Sequence, residues 1–369
     1  MIKSFTCYFI VFALFFSINS SFVFSQIGGT NTYEFLNLPS SARVASLGGS
    51  ILSVKDNDIN LAFQNPSLLN SSMHNQLALN IVNYFADIKY GYAAYAYDLK
   101  KLGTYDLGIH YINYGSFQGT APNGDATQTF KAGEYDLNLG WGKQLNHMES
   151  FGLSNKLDSL FSVGVNVKTI YSQFEQYSST GIAADFATTF YHKKSDFSAA
   201  LVIKNYGKQL RGYTDGNLEP LPFEIQFGIS KKLAKAPLRI SITACHLERY
   251  DLTYNNVSQV VVDPFTNEPI PPTAFDKFKG YADKFMRHIV VGTELLLTKN
   301  FNVRAGFNYQ RRAELAVESR TSFVGFSGGF GLRISKFHLS YAIASYHLAG
   351  SSNHFSLTTN LSDFWVKKK

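Results

Sequence analysis

The chain has 369 residues, of which 45% are hydrophobic and 15% aromatic, and its 34 Lys and Arg against 27 Asp and Glu leave a formal charge of +7. Its 2 cysteines, Cys7 and Cys245, exclude a disulfide-stapled scaffold. The basic excess is not gathered into a Lys/Arg stripe with interleaved aromatics, so no nucleic-acid partner is expected and the charge reads as solvated basic turns.

Lys3 precedes an apolar run from Phe5 to Ile18, and small polar residues follow, ending Val23-Phe24-Ser25. This is the pattern of a secretory signal peptide over residues 1–25, cleaved after Ser25, because the run falls short of the roughly 20 residues of a membrane-spanning helix. Cleavage discards Cys7 and leaves Cys245 without a partner. No later stretch approaches the ~18 continuous apolar residues of a membrane helix. Such an exported chain is periplasmic, secreted or a membrane β-barrel. The 32 Phe, 22 Tyr and 28 Gly favour the barrel, which needs aromatics at its bilayer rims and small residues in a crowded lumen.

Residues 26–75 read as an N-terminal hatch. The stretch from Tyr33 to Pro66 is too polar to span a membrane and too irregular to be one strand. Pro39 and Pro66 break regular structure, Gly48 and Gly49 permit a tight bend, and Arg43 offers a charge to a lumen. Asp56 and Asp58, with Asn57 and Asn60, invite a calcium site, but the Gly and closing Glu of an EF-hand are missing, so turn or capping carboxylates are the favoured assignment.

From Gln76 the pattern changes to period two. Tyr105, Leu107, Ile109 and Tyr111 alternate with Asp106, Gly108 and His110, and Phe301, Val303, Ala305 and Phe307 alternate with Asn302, Arg304 and Gly306. One apolar and one polar face is the signature of a strand. Fourteen such segments are expected near residues 76–85, 88–99, 104–115, 133–145, 161–172, 180–192, 196–206, 222–231, 238–254, 287–299, 301–315, 317–335, 337–347 and 354–362. Most reach the roughly 9–11 residues that cross a bilayer as a tilted strand. The even-numbered connections are short and mostly Lys-bearing, apart from 146–160, whereas the odd-numbered ones include the longest, as in outer-membrane barrels. The fold class is thus all-β: an outer-membrane β-barrel of about fourteen antiparallel strands over residues 76–369, closed by a hatch. The end is ambiguous, because Ser362 to Lys369 follow the last alternating segment.

Within the barrel, Lys168, Arg239, Arg304 and Arg333 fall on the polar faces, with Glu224 and Asp136 as candidate partners. Paired charges holding the hatch are preferred over an anion-selective pore. The longest connection carries Pro264, Pro269, Pro271 and Pro272 and the aromatics Phe265, Phe275, Phe278, Tyr281 and Phe285, which either dock a partner or pack the loop onto the rim. Gly325-Phe326-Ser327-Gly328-Gly329 has the form of a hydrolase nucleophile elbow, but Phe330, Leu332 and Ile334 continue the strand pattern where a helix would be needed. The nine histidines show no metal spacing, with His338, His347 and His354 expected at the lumen or an interface, and Cys245 reads as a packing residue. No catalytic set, cofactor site or metal site is expected.

Phe35-Leu36-Asn37-Leu38-Pro39, then Ser41-Ala42-Arg43, Gly48-Gly49 and Asn65-Pro66, resemble the N-terminal block of the PorV/PorQ family. That family is related to the long-chain fatty acid transporter barrels, with fourteen strands and a hatch. The resemblance implies a non-enzymatic outer-membrane component of the type IX secretion system of Bacteroidetes-type bacteria. It would hold a PorZ-like surface protein in an attachment complex with PorU- and PorV-like proteins, which joins cargo to anionic lipopolysaccharide. The alternative is a transporter of hydrophobic molecules.

Overall fold

The computed structural model describes residues 31–145, 159–253, 273–315, 323–347 and 350–365. The expected signal peptide, Phe265 and the proline cluster lie outside them.

Fourteen antiparallel strands close into one barrel in which each pairs with its sequence neighbours and β1 (Gln76–Asn83) meets β14 (Gly350–Asn360). The barrel is inside-out relative to a soluble one. In β3 (Thr104–Thr120) Thr104, Asp106 and His110 are buried, whereas Leu107 and Ile109 are about half exposed. The same inversion places Leu137 and Leu139 of β4 (Ala126–Leu145) outward beside them, with Asp136 and Asn138 inward. An apolar belt is stable in lipid and would be costly in water, so the solvent of this wall is the hydrocarbon of a bilayer.

The wall is uneven. β3 and β4 run 17 and 20 residues, and β5 (Ser159–Phe174), β6 (Tyr177–His192) and β7 (Phe197–Arg211) run 16, 16 and 15. By contrast β8 (Glu224–Lys232), β9 (Leu238–Ala244), β10 (Ile289–Leu295), β11 (Phe301–Asn308) and β12 (Phe326–Ile334) have 9, 7, 7, 8 and 9. β2 (Lys89–Asp98) and β13 (Phe337–His347) complete the wall.

Several expected bounds shift. The connection expected at 116–132 is mostly strand, because β3 and β4 pair on to Thr120↔Ala126, where polar alternation hides a ladder above the bilayer. The segment expected at 238–254 stops at Ala244, since His246 turns into the left-handed region with φ 54°. The one expected at 301–315 ends at Asn308, whose side chain accepts from the Arg311 N–H at 2.9 Å and starts a helix over Tyr309–Leu315. Of the segment expected at 317–335, residues 317–322 lie outside the described ones, and the strand β12 covers Phe326–Ile334.

Residues 31–75 fill the lumen. They comprise a 3-10 turn at Glu34–Asn37, the helix α1 (Ala42–Ser46), and 3-10 turns at Ile59–Leu61, Pro66–Leu68 and Ser71–Met73. All but the first begin at a polar cap: Ser41 accepts from the Val44 N–H, Asp58 from Asn60, Asn65 from Ser67 and Asn70 from Ser72. Val44, Leu47, Ile51, Val54, Leu61 and Leu68 pack together with no more than 1% exposure, so the hatch carries a core of its own inside the barrel. Two further helices lie at the long-loop end: α2 (Ala274–Arg287), started by a Thr273/Asp276 capping box, and α3 (Tyr309–Leu315).

Candidate functional site

The site is the interface between hatch and wall, which has three levels. At the long-loop end Tyr33, Phe35 and Leu36 enter an apolar chamber lined by Val82, Tyr90, Ile112, Ile170, Ala183 and Leu221. Tyr84, Ile88, Tyr114 and Tyr213 close around it. Phe35 stacks on His110 at 5.4 Å, and Phe63 meets the same imidazole edge-on at 5.1 Å. The Tyr33 hydroxyl bonds to Ser179. Burial pushes its ionisation upward and outweighs the lowering by the Ser179 bond, so it remains a neutral hydroxyl.

The middle level is polar. Lys168 Nζ lies 2.7 Å from Asp185 and 4.9 Å above the Phe63 ring, and Lys204 Nζ donates to Gln64 at 3.1 Å. Here the wall is irregular: the β6/β7 ladder steps from Ala184↔Tyr206 to Phe186↔Ile203. Asn205 adopts φ 54° in the break, receives Lys168, and donates through Nδ2 to Asn37 of the hatch at 3.2 Å. Asn65 donates to the Leu52 carbonyl at 2.6 Å and to Thr189 at 3.0 Å, which sets Pro66 against the wall. The Pro66 backbone crosses Gly164 so closely that a Cβ would overlap it, and Gly48 crosses Gly306 in the same way. Gly48 and Gly49, at φ 94° and 95°, supply the left-handed bend after α1.

The lowest level is an ionic lock. Arg43 Nε lies 3.0 Å from Glu294 of β10, and its two terminal nitrogens lie 2.7 Å from Asp56 and 3.0 Å from Asp58. Glu294 also meets Arg239 at 2.8 Å and Arg304 at 3.2 Å. The guanidinium of Arg43 opposes its own burial with three carboxylates and titrates well above its ordinary range, while Asp58, which burial alone would raise, is held below the carboxylate range by Arg43. The lock itself lines a cavity of about 270 Å³ at the short-turn end, which Arg333, His338, Lys299 and Lys336 line as well.

Three of the four cations expected in the lumen meet around one cavity, and Lys168 stands apart. Arg239 and Arg304 join the lock, Lys168 belongs to the middle level with Asp185 instead of Asp136 or Glu224, and Arg333 lines the lower cavity. Glu224 accepts from the His246 N–H at 3.1 Å. Asp58 caps its turn as expected and also binds Arg43. Glu294 was missed, although register sets it opposite both Arg239 and Arg304 and its charge interrupts an apolar run. Phe275, Phe278, Tyr281 and Phe285 lie together on α2, 63–74% exposed, and are not packed onto the rim by any described residue. Ser327 Oγ accepts from the Gly48 N–H at 3.1 Å within β12, a hatch contact in place of a nucleophile elbow. His354 bonds to Ser352 at 2.8 Å, and no cluster of His, Cys, Asp and Glu among the described residues could hold a metal.

No family model matches the sequence, and no curated protein matches it. Solved structures do match in arrangement. The P. putida toluene transporter TodX has a TM-score of 0.47 at 11% identity over 88% of this chain and 99% of that one. The Ralstonia pickettii toluene transporter TbuX has 0.45 at 12% over 88% and 99%, and a Pseudomonas aeruginosa FadL homologue has 0.43 at 11% over 87% and 98%. The chain is an outer-membrane-type, hatch-filled barrel of fourteen strands on the closure and inverted polarity of its own wall.

Proposed function

We propose that this barrel is a hatch-gated conduit for a hydrophobic molecule across an outer membrane, without enzymatic activity. The observation that supports it is the chamber at the long-loop end: its aromatic and aliphatic lining holds Phe35 and Leu36 of the hatch as it would hold a ligand. Below the chamber the lumen is polar, so an apolar molecule leaves sideways, and the β6/β7 break, which contacts Asn37 and lies beside Ala183, is an irregularity in the wall next to it. Titration of the purified barrel with a fluorescent long-chain fatty acid tests this. Phe35→Ala combined with Leu36→Ala should tighten binding by clearing the chamber, and Ile112→Asp should abolish it. No saturable binding in any variant would remove the proposal.

A second reading rests on the block from Phe35 to Pro66 and on the long strands β3 to β7, which reach past the bilayer. It is an anchoring barrel of the PorQ branch, binding a PorZ-like surface protein within a type IX secretion attachment complex with PorU- and PorV-like members. Extraction of native membranes in mild detergent should recover such a partner, and recovery of the barrel alone would count against it.

A further inference from the structure

Helix α2 has one attached face and one bare face. Asp283 accepts from Tyr309 Oη and from Arg287 Nε, each at 2.8 Å, and Arg287 lies 3.8 Å from Glu314, so this side is held to α3. Helix α3 in turn sits over the lumen, with the Arg311 guanidinium against Gly49 of the hatch and 4.0 Å above the Tyr346 ring. The attached face of α2 therefore points toward the barrel axis. At 100° per residue the opposite face carries Phe275, Phe278, Tyr281 and Phe285. Lys277 and Lys279 stand at its two edges.

The helix is joined to β10 by a single residue, His288, whose ring bonds back to the Cys245 carbonyl at 2.7 Å. It thus rises from the low side of the wall. β9 and β10 have 7 residues each, and at about 3.3 Å per residue they measure about 23 Å along the strand. With a tilt of about 35–45° that is about 16–19 Å of height, against an apolar band of about 25 Å. The missing height, about 6–9 Å, is a gap that the roughly 10–12 Å diameter of one helix more than covers. Leu247 and Tyr250 are likewise exposed, in the segment that a 2.6 Å Lys284–Asp251 ion pair ties to α2.

We propose that α2 lies in the outer leaflet, its aromatic face completing the lipid-facing belt above β9 and β10 while Lys277 and Lys279 reach the phosphates of anionic lipids. The occupant of the bare face is the bilayer. Continuity with the belt and a cationic edge on both sides of the aromatic stripe favour lipid over a protein groove.

The test uses the full-length protein in phosphatidylcholine vesicles containing phosphatidylglycerol, in a Trp141→Phe, Trp365→Phe background. The Phe278→Trp variant should emit at shorter wavelength than the Gly280→Trp control on the other side of the helix, lose its emission to doxyl-labelled lipid, and resist acrylamide. Gly280 has open space at its Cβ position, so the control fits. Lys277→Glu with Lys279→Glu should reduce the lipid quenching of the Phe278→Trp variant. The proposal is overturned if both tryptophans are quenched by acrylamide and neither by lipid. It is equally overturned if Phe278→Trp becomes protected only on adding an outer-membrane protein extract, which would make the face a protein site.

Discussion

At the scale of single residues, the hatch is held by groups that bind strongly only as a set. Arg43 has a side chain 7% exposed and faces Asp56, Asp58 and Glu294; Glu294 and Asp56 keep Arg239, but Arg43→Met leaves the buried Asp58 without its ion pair, a loss of about 3–5 kcal/mol. We predict frequent channel openings in planar bilayers for Arg43→Met, against a quiet wild type; equal quiescence of a correctly assembled variant would contradict the lock. The acid dependence follows from Asp58. Its folded pKa is depressed, so its stabilisation is present above the unfolded value of about 3.9 and is lost as pH falls through the lower folded value. Openings should therefore set in only below about pH 4, and an opening threshold in mild acid would assign gating to another group. Gly164 is the complementary case. A Cβ there meets the Pro66 backbone, which cannot yield as a flexible side chain would, so Gly164→Val should assemble a barrel whose hatch is cut by added protease. Protection equal to wild type would show that the close approach is dispensable.

At the scale of elements, removal of Tyr33 to Pro66 should give steady ion conductance in planar bilayers, with heat-modifiable gel mobility as the check that the barrel has formed. A channel that stays closed would mean that the wall or its loops, and not these residues, seal the lumen. The strands themselves were legible because lipid on one side and a polar filling on the other impose alternation on every residue pair, as in Leu107, Ile109 and their neighbours. The alternation fades where the environment stops being two-sided. Ser116 to Thr120 stand above the bilayer with water on both faces, and the helix at Tyr309–Leu315 is set by the Asn308 cap and by α2, neither of which leaves a period-two trace. The hatch was visible only as irregularity. Of its caps Asp58 was read as such from the sequence, whereas the lock was not, because Glu294 lies 251 residues from Arg43 and only barrel closure joins them.

At the scale of the whole molecule, the uneven wall divides the long-loop end into a tall side at β3 to β7 and a low side at β8 to β12. The β3/β4 hairpin reaches far past the belt, and its Phe117 and Phe130 rings stack at 5.4 Å near the tip, so a surface partner, if one binds, has a rigid post to meet. Trimming 116–131 to a short turn should leave fatty-acid binding intact while weakening any such partner, a separation that binding titration and detergent co-purification read independently. The seam between β1 and β14 carries a consequence for assembly. The hatch precedes β1 in the chain, yet α1 touches β14, where the Ala42 N–H donates to Ser356 at 2.9 Å, and it also touches β11, β12 and β13. A folded plug of this width has no route into a finished cylinder, so it must be in place while the sheet is still open. The final zipping of β14 onto β1 then traps it, which makes the N-terminal segment a mandrel around which the wall is wound.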